Sequence, residues 1–411
     1  MIHSRAMVVV ALLVSCSSNS PTADSVPPGV EGHVTDGPTA GEQIKPPGDL
    51  GPDKPKAPAR WETVSGAAPA LVYHTATLLK DGRLLVAGGE VDDGTNPTKL
   101  SADTYLYDPQ QNSFAPTGKL AVARHSHTAT LLNDGRVILV GGGTSHWGSS
   151  AMDSVEIFDP TKNSWSSGTA MPGKRKDHTA TLLQSGKLLI AGGENKDNGG
   201  QLDTLLLFDP AANAWTAPAY TLTSKRDGHT ATLLKNGKVL MAGGSDGTYY
   251  LSSMEVIDVT AGTAKALTDS LPKGRVGHTA ELLGDGRVLV VGGYCGMTCA
   301  MPNDALYDPS IDKVTTLSHF GDPPGFHAAA ALSDGRALVT GGATDPDTMK
   351  ATSTASIFAS GASGGWTGQP SMAVARMRHT STTLKDGSVL VVGGMSGLSS
   401  ACVDKAERFY P

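Results

Sequence analysis

Seven times the chain writes the same short phrase, beginning at His74, His127, His178, His229, His278, His327 and His379, at a spacing of about 50 residues. The second copy runs His127-Thr128-Ala129-Thr130-Leu131-Leu132-Asn133-Asp134-Gly135-Arg136-Val137-Ile138-Leu139-Val140-Gly141-Gly142. Thr-Ala-Thr-Leu-Leu alternates polar and apolar side chains, as a half-buried strand does. Asp-Gly suits a tight hairpin turn, and Val-Ile-Leu-Val reads as a second, fully buried strand. A unit this small cannot cover its own apolar faces, so its copies must stack on one another. That requirement excludes a chain of independent domains despite the length of 411 residues.

Each unit continues beyond its Gly-Gly pair. After a variable loop comes an aromatic strand that often ends in Asp-Pro, as in Tyr105-Leu106-Tyr107-Asp108-Pro109 and Val155-Glu156-Ile157-Phe158-Asp159-Pro160. A fourth short strand carries Phe114, Trp165, Trp215 or Trp366. Four antiparallel strands, a Gly-Gly pair closing the second and aromatics on the third and fourth resemble the kelch repeat, over everything after residue 60. The resemblance implies an all-β fold, a seven-bladed β-propeller of four-stranded kelch blades like that of galactose oxidase. The seventh unit stops at Glu407-Arg408-Phe409-Tyr410-Pro411, one strand short, while Trp61 stands before the first His in the place of Trp165 and Trp215 before theirs. An N-terminal strand near Trp61 is therefore expected to complete the last blade and close the ring.

The segments before the array read differently. Met7 to Val14 is apolar but too brief to span a bilayer, and Leu13-Val14-Ser15-Cys16 resembles the lipobox of a bacterial lipoprotein. On that reading residues 1–15 are a signal peptide and Cys16 carries the lipid. Residues 16–60 are rich in Pro, Gly, Thr and Asp and read as a disordered tether, about 100 Å long at about 3 Å per residue. The propeller then occupies 61–411. Ser17 after the Cys favours the outer membrane by similarity to Gram-negative sorting rules, the propeller facing either the periplasm or the surface. The net charge of −6 gives no field suited to nucleic acid, and the lipid is the expected membrane contact.

Sevenfold recurrence of His marks a structural role, an imidazole bonded to a backbone group of its own or an adjacent blade. The Gly pairs are expected where backbones of neighbouring blades approach closely. Three residues before the His stand Arg124, Arg175, Arg226, Arg275 and Arg376, replaced by Leu71 and Pro324 in blades one and six. Two readings stay open: a broken ring of guanidiniums at the channel mouth that binds anions, or pairs with loop acids such as Asp92, Asp93, Glu194 or Asp246. The loops after Gly-Gly hold Trp147, Tyr249 and Tyr250, aromatics suited to gripping a sugar or peptide. Cys295 and Cys299 are expected to form a disulfide that staples their loop, leaving Cys402 as a thiol.

These features point to a monomeric, envelope-anchored binding or scaffold module that recognises a protein or glycan through the loop face at the channel mouth, with no cofactor or metal and no catalytic residues. The alternative is an enzyme on the same propeller. By resemblance to galactose oxidase, a carbohydrate oxidase needs copper on two Tyr and two His, with His125, His146, His319, Tyr73, Tyr220, Tyr249, Tyr250 and Tyr294 as candidates. A glycosidase needs convergent carboxylates, from Glu90, Asp92, Asp93, Asp345 and Asp347.

Overall fold

Four-residue strands are what the repeated phrase produces. In blade two, Thr128–Leu131, Val137–Val140, Val155–Asp159 and Ser164–Ser167 pair antiparallel in that order, from the channel outward. Val137–Val140 is buried on both faces because each blade is sandwiched between two others. Its Ile138 and Val140 pack with Ala180, Leu182, Leu188 and Ile190 of blade three. The computed structural model describes residues 58–91, 99–145, 150–296, 303–319, 321, 324–345, 348–361, 365–397 and 402–411. Over these it shows seven such four-stranded sheets.

The innermost strands line the channel: Thr75–Leu78, Thr128–Leu131, Thr179–Leu182, Thr230–Leu233, Thr279–Leu282, Ala328–Ala331 and Thr380–Thr383. Each touches the next, and the last touches the first, so the ring is closed. The expected N-terminal strand is Arg60–Thr63, which pairs antiparallel with Glu407–Tyr410 as the outer strand of blade seven. Trp61 lies opposite Phe409, ring centroids 4.9 Å apart, and its Nε1 donates to the Pro370 carbonyl at 2.7 Å. Phe158 with Trp165 and Phe208 with Trp215 repeat that pairing in their own blades.

Two seams bind each blade to its neighbour. In the first, the second Gly of every pair donates its N–H to the residue three before the next blade's His. Gly89 donates to Arg124 (2.8 Å), Gly142 to Arg175 (3.0 Å) and Gly293 to Pro324 (3.0 Å), and Gly394 closes the circle on Leu71 (2.8 Å). The approach leaves no room for a side chain: a Cβ on Gly141 would lie 2.5 Å from the Arg175 carbonyl oxygen, and its φ of 60° is one that glycine adopts without cost. In the second seam the repeated His bonds a hydroxyl of the preceding blade rather than the backbone alone. His127 Nε2 meets Thr75 Oγ1 at 3.1 Å, His178 meets Thr128 at 3.0 Å, and His74 meets Thr380 at 3.0 Å.

Blade six breaks the pattern, because Ala328 stands where the other blades have Thr. There the hydroxyl comes from Thr340, the cross-strand partner of Ala328, which reaches His379 Nε2 at 2.9 Å. Thr340→Val is therefore expected to leave a buried imidazole nitrogen without its partner and to cost about 1–3 kcal/mol in urea unfolding. Adding Ala328→Thr to that variant should recover most of the loss, since it restores the hydroxyl at its usual place.

Candidate functional site

The loops leading into the innermost strands and the loops after Gly-Gly share one face, around the channel mouth. The residue just before each repeated His forms the rim: Tyr73, Ser126, Asp177, Gly228, Gly277, Phe326 and Arg378. All seven have left-handed backbone, with φ between 55° and 61°. Blade-to-blade hydrogen bonds link six of them: Asp177 N to Ser126 O (3.1 Å), Gly228 N to Asp177 O (3.1 Å), Phe326 N to Gly277 O (2.9 Å) and Arg378 N to Phe326 O (2.8 Å). Glycine takes this conformation freely, whereas Tyr73, Phe326 and Arg378 each accept a strain of about 1–3 kcal/mol. Strain of this size persists only where the surroundings impose it, and here it aims large side chains at the mouth.

The rim is divided chemically. From blade four round to blade two runs an arc of stacked rings. Tyr250 meets Tyr294 edge-on (5.9 Å), Tyr294 meets Phe326 (6.0 Å), and Tyr73 meets His125 (6.3 Å). Between Phe326 and Tyr73 the half-buried guanidinium of Arg378 completes the arc, 5.0 Å and 4.9 Å from their centroids, a cation–π sandwich. Val276, Met377, Met395 and Cys402 pack behind it. The other side is polar: Lys176 Nζ lies 3.6 Å from Glu194, and Gln201 Nε2 donates to Glu194 (3.5 Å) and Asp227 (3.4 Å). Burial and the neighbouring carboxylates push the Asp177 carboxyl well above its ordinary range, and burial and Glu194 push Asp227 up to about 7. Burial likewise raises the Tyr73 phenol to about 12, against the opposing pull of Arg378.

Beneath the rim is a cavity of about 50 Å³, lined by Tyr73, Phe326 and Arg378 above and by Thr279, Glu281, Ala329 and Ser381 below. It has room for roughly three or four waters. Glu281 occupies the strand position held by Thr77, Thr130, Thr181 and Thr232 in other blades, and burial raises its carboxyl to about 8.

The five recurring arginines lie elsewhere than on an open mouth. Arg124, Arg175, Arg226, Arg275 and Arg376 are buried, and each guanidinium folds beneath the loop to donate to the first Gly carbonyl of its own blade, Gly141, Gly192, Gly243, Gly292 and Gly393. Their carboxylate partners come from the third strand and not from the loops. Arg124 pairs with Glu156 (2.6 Å), Arg226 with Glu255 (2.8 Å) and Arg376 with Glu407 (2.7 Å). Arg175 uses the Thr204 hydroxyl (3.2 Å), and Arg275 the Asn303 carbonyl (2.9 Å). A ring of ligand-binding guanidiniums therefore does not form from these residues. The first Gly carbonyl, the third strand and the residue just before it supply what they bond.

Tyr249 is 70% exposed, on a turn fixed by Asp246 Oδ1, which accepts from Thr248 N (2.8 Å) and Tyr249 N (2.7 Å). Tyr250 beside it is half-buried against Tyr294. Cys295 is disulfide-bonded, and Cys402 is a buried thiol with Sγ 3.9 Å from the Glu90 carbonyl oxygen. Cys16, Trp147 and Cys299 lie outside the described residues, as do His146, Asp92, Asp93, Asp347 and the signal and tether segments as far as residue 57. Of the copper candidates, His319 sits away from the mouth, bonded to Asp304 at 2.6 Å and packed on Trp366. Among the described residues no three His, Cys, Asp or Glu side chains are grouped to hold a metal.

Comparison with known proteins agrees with this architecture. The chain is 28% identical to mouse Kelch-like protein 38 over 166 residues, covering 30% of this chain and 28% of that one. It is 30% identical to human Kelch-like protein 33 over 117 residues, covering 28% and 21%. The chain thus spans about a quarter of the length of these curated relatives. Among solved structures it is similar to a fungal alcohol oxidase of the AA5 family in complex with copper, with a TM-score of 0.67 and 21% identity over 86% of this chain and 76% of that one, a likeness of fold. The Attractin/LZTR1 β-propeller family matches residues 142–403, more than half of the chain. With seven kelch blades in the fold and that match over four whole blades and parts of two more, the chain belongs to the Attractin/LZTR1 β-propeller family.

Proposed function

We propose that this propeller is a non-catalytic, envelope-anchored module that holds a protein or glycan ligand at the channel mouth. The kelch propeller fold supports a binding scaffold in general. The observation that carries the finer reading is the rim. Three bulky non-glycine residues, Tyr73, Phe326 and Arg378, are held in strained left-handed backbone and frame the well, in a column of the repeat whose residue types vary from blade to blade. Tyr249, fixed on its turn and open to solvent, adds a rigid aromatic contact on the same face. The lipobox-like Leu13-Val14-Ser15-Cys16 and the proline-rich segment after it support an anchor and a spacer that let this face reach its ligand.

The test is capture of the ligand by crosslinking in the protein's own envelope, followed by Tyr249→Ala. The substituted side chain is exposed, so melting temperature should change by less than about 1 °C, while recovery of the captured ligand should fall at least about tenfold, a loss of about 1.4 kcal/mol. Unchanged recovery in Tyr249→Ala and in Arg378→Gln together would show that the ligand binds another face.

A further inference from the structure

Arg378 differs from the other described arginines. The rest donate to a carboxylate, a carbonyl or a hydroxyl. Arg378 makes no ion pair or side-chain hydrogen bond among the described residues, and its buried Nε is without an acceptor. Its position is nonetheless fixed, by the rings of Tyr73 and Phe326 on either side and by its own N–H on the Phe326 carbonyl. A held, half-buried guanidinium with spare donors, facing a well, is preorganised for a planar anion.

Two kinds of carboxylate carrier would fit that fork, an acidic peptide and an acidic sugar, and the mouth discriminates between them. A peptide strand needs main-chain partners, and along much of the mouth they are already used. Ser126, Asp177 and Gly228 bond one another from blade to blade, as do Gly277, Phe326 and Arg378, and the layer beneath is paired as Val72 with Glu90, Lys176 with Glu194, Asp227 with Ser245, Val276 with Tyr294 and Met377 with Met395. What the mouth offers besides is side-chain chemistry: the Arg378 fork, the Asp177 carboxyl beside the Ser126 hydroxyl and Lys176, the Gln201 amide, and the open ring of Tyr249. Scattered polar groups facing a rigid aromatic suit a ring of hydroxyls with one apolar face.

Resting on the reading of the mouth as a binding site, we infer that the ligand is an acidic saccharide whose carboxylate seats on Arg378. The probes are trigalacturonate and glucuronate, against a neutral oligosaccharide of equal length and triglutamate, titrated calorimetrically into the whole chain. The acidic sugars should bind, more weakly as salt is raised, with the neutral sugar and the peptide at least tenfold weaker. Arg378→Gln should lose at least tenfold in affinity for the uronates while melting within a few degrees of the parent. Arg378→Lys should recover only part, keeping the charge without the fork. Absent uronate binding, equal uronate affinity in Arg378→Gln, or tighter binding of triglutamate would each overturn the inference. If Tyr249→Ala and Arg378→Gln lose the captured envelope ligand while uronates neither bind nor compete, the mouth remains the site and only the acidic sugar is wrong. If both variants keep that ligand, the mouth itself is wrong.

Discussion

A chain begun at residue 67 should melt about 10 °C or more below one begun at residue 58. The missing strand, Arg60–Thr63, forms the outer edge of blade seven along the register Arg60 to Tyr410, Trp61 to Phe409, Glu62 to Arg408 and Thr63 to Glu407. Its loss removes those ladder bonds, at about 1 kcal/mol each, and the half-buried indole of Trp61, worth roughly 1–3 kcal/mol. The total, about 5 kcal/mol or more, translates to about 2 °C per kcal/mol for a domain this large. The energy also has a topological meaning. Blade seven is the one blade built from both chain ends, so without Arg60–Thr63 the ring is held only by its seams, such as Gly394 to Leu71 and His74 to Thr380. Trp61→Ala alone should give a smaller fall, about 2–5 °C. Equal melting of the two chains would mean that the strand does not close the ring.

Acid should unfold the propeller well above the range where carboxylates are lost. All seven repeated imidazoles are buried, and desolvation is the largest cause holding them neutral. It lowers His74 to about 4 and His178, His278 and His327 to about 3, with His127, His229 and His379 also well below the ordinary value. A histidine whose folded pKa is depressed binds its proton in the unfolded chain first. Its contribution to stability is therefore whole above about pH 6.5 and is lost progressively as pH falls toward 3–4. Asp177, Asp227 and Glu281 act in the opposite sense. Their folded values are raised, so they favour the fold at low pH and cost stability as pH climbs through about 7 to 8. Near pH 5 the seven histidines outweigh the three acids by about four protons, or about 5–6 kcal/mol per pH unit. Stability should thus peak between about pH 6 and 7, and the urea midpoint should fall steeply below it. A midpoint that stays level from pH 6.5 to 4.5 would contradict the buried, neutral ring of imidazoles.

How much of this was legible beforehand follows from which features repeat. Strands, turns and blade number are written in the recurrent His-Thr-x-Thr-Leu-Leu and Gly-Gly, and Trp61 announced the closure because it stood in a place already defined by Trp165 and Trp215. The direction of a side chain was not written. Arg124 and its counterparts stand three residues before the His, which puts them in a loop. Whether they point out to solvent or back to Gly141 depends on Glu156, Glu255 and Glu407, which lie about 30 residues downstream in sequence and inside the blade in space. Thr340 was invisible for a related reason, because its hydroxyl replaces one lost from a different strand. The rim was partly visible. Its column reads Tyr, Ser, Asp, Gly, Gly, Phe and Arg, and two adjacent glycines in an otherwise variable column signal left-handed backbone. That signal locates the mouth but does not show that Arg378 would be sandwiched between the rings of blades one and six.

Residues that build the ring are distinct from those proposed to use it, and two arginines two positions apart test that separation. Arg376 is buried against Glu407, and Arg378 lies half-buried at the rim. The decisive measurement is melting temperature and ligand affinity together for Arg376→Ala and Arg378→Ala. Arg376→Ala strands a buried carboxylate and should cost about 3–5 kcal/mol, with the remaining folded protein binding normally. Arg378→Ala gives up its cation–π contacts, about 0.5–2 kcal/mol, so it should melt only a few degrees below the parent and lose at least tenfold in affinity. The reverse pattern, a destabilised Arg378→Ala that still binds beside a stable Arg376→Ala that does not, would contradict the assignment of structure to the repeat and function to its departures.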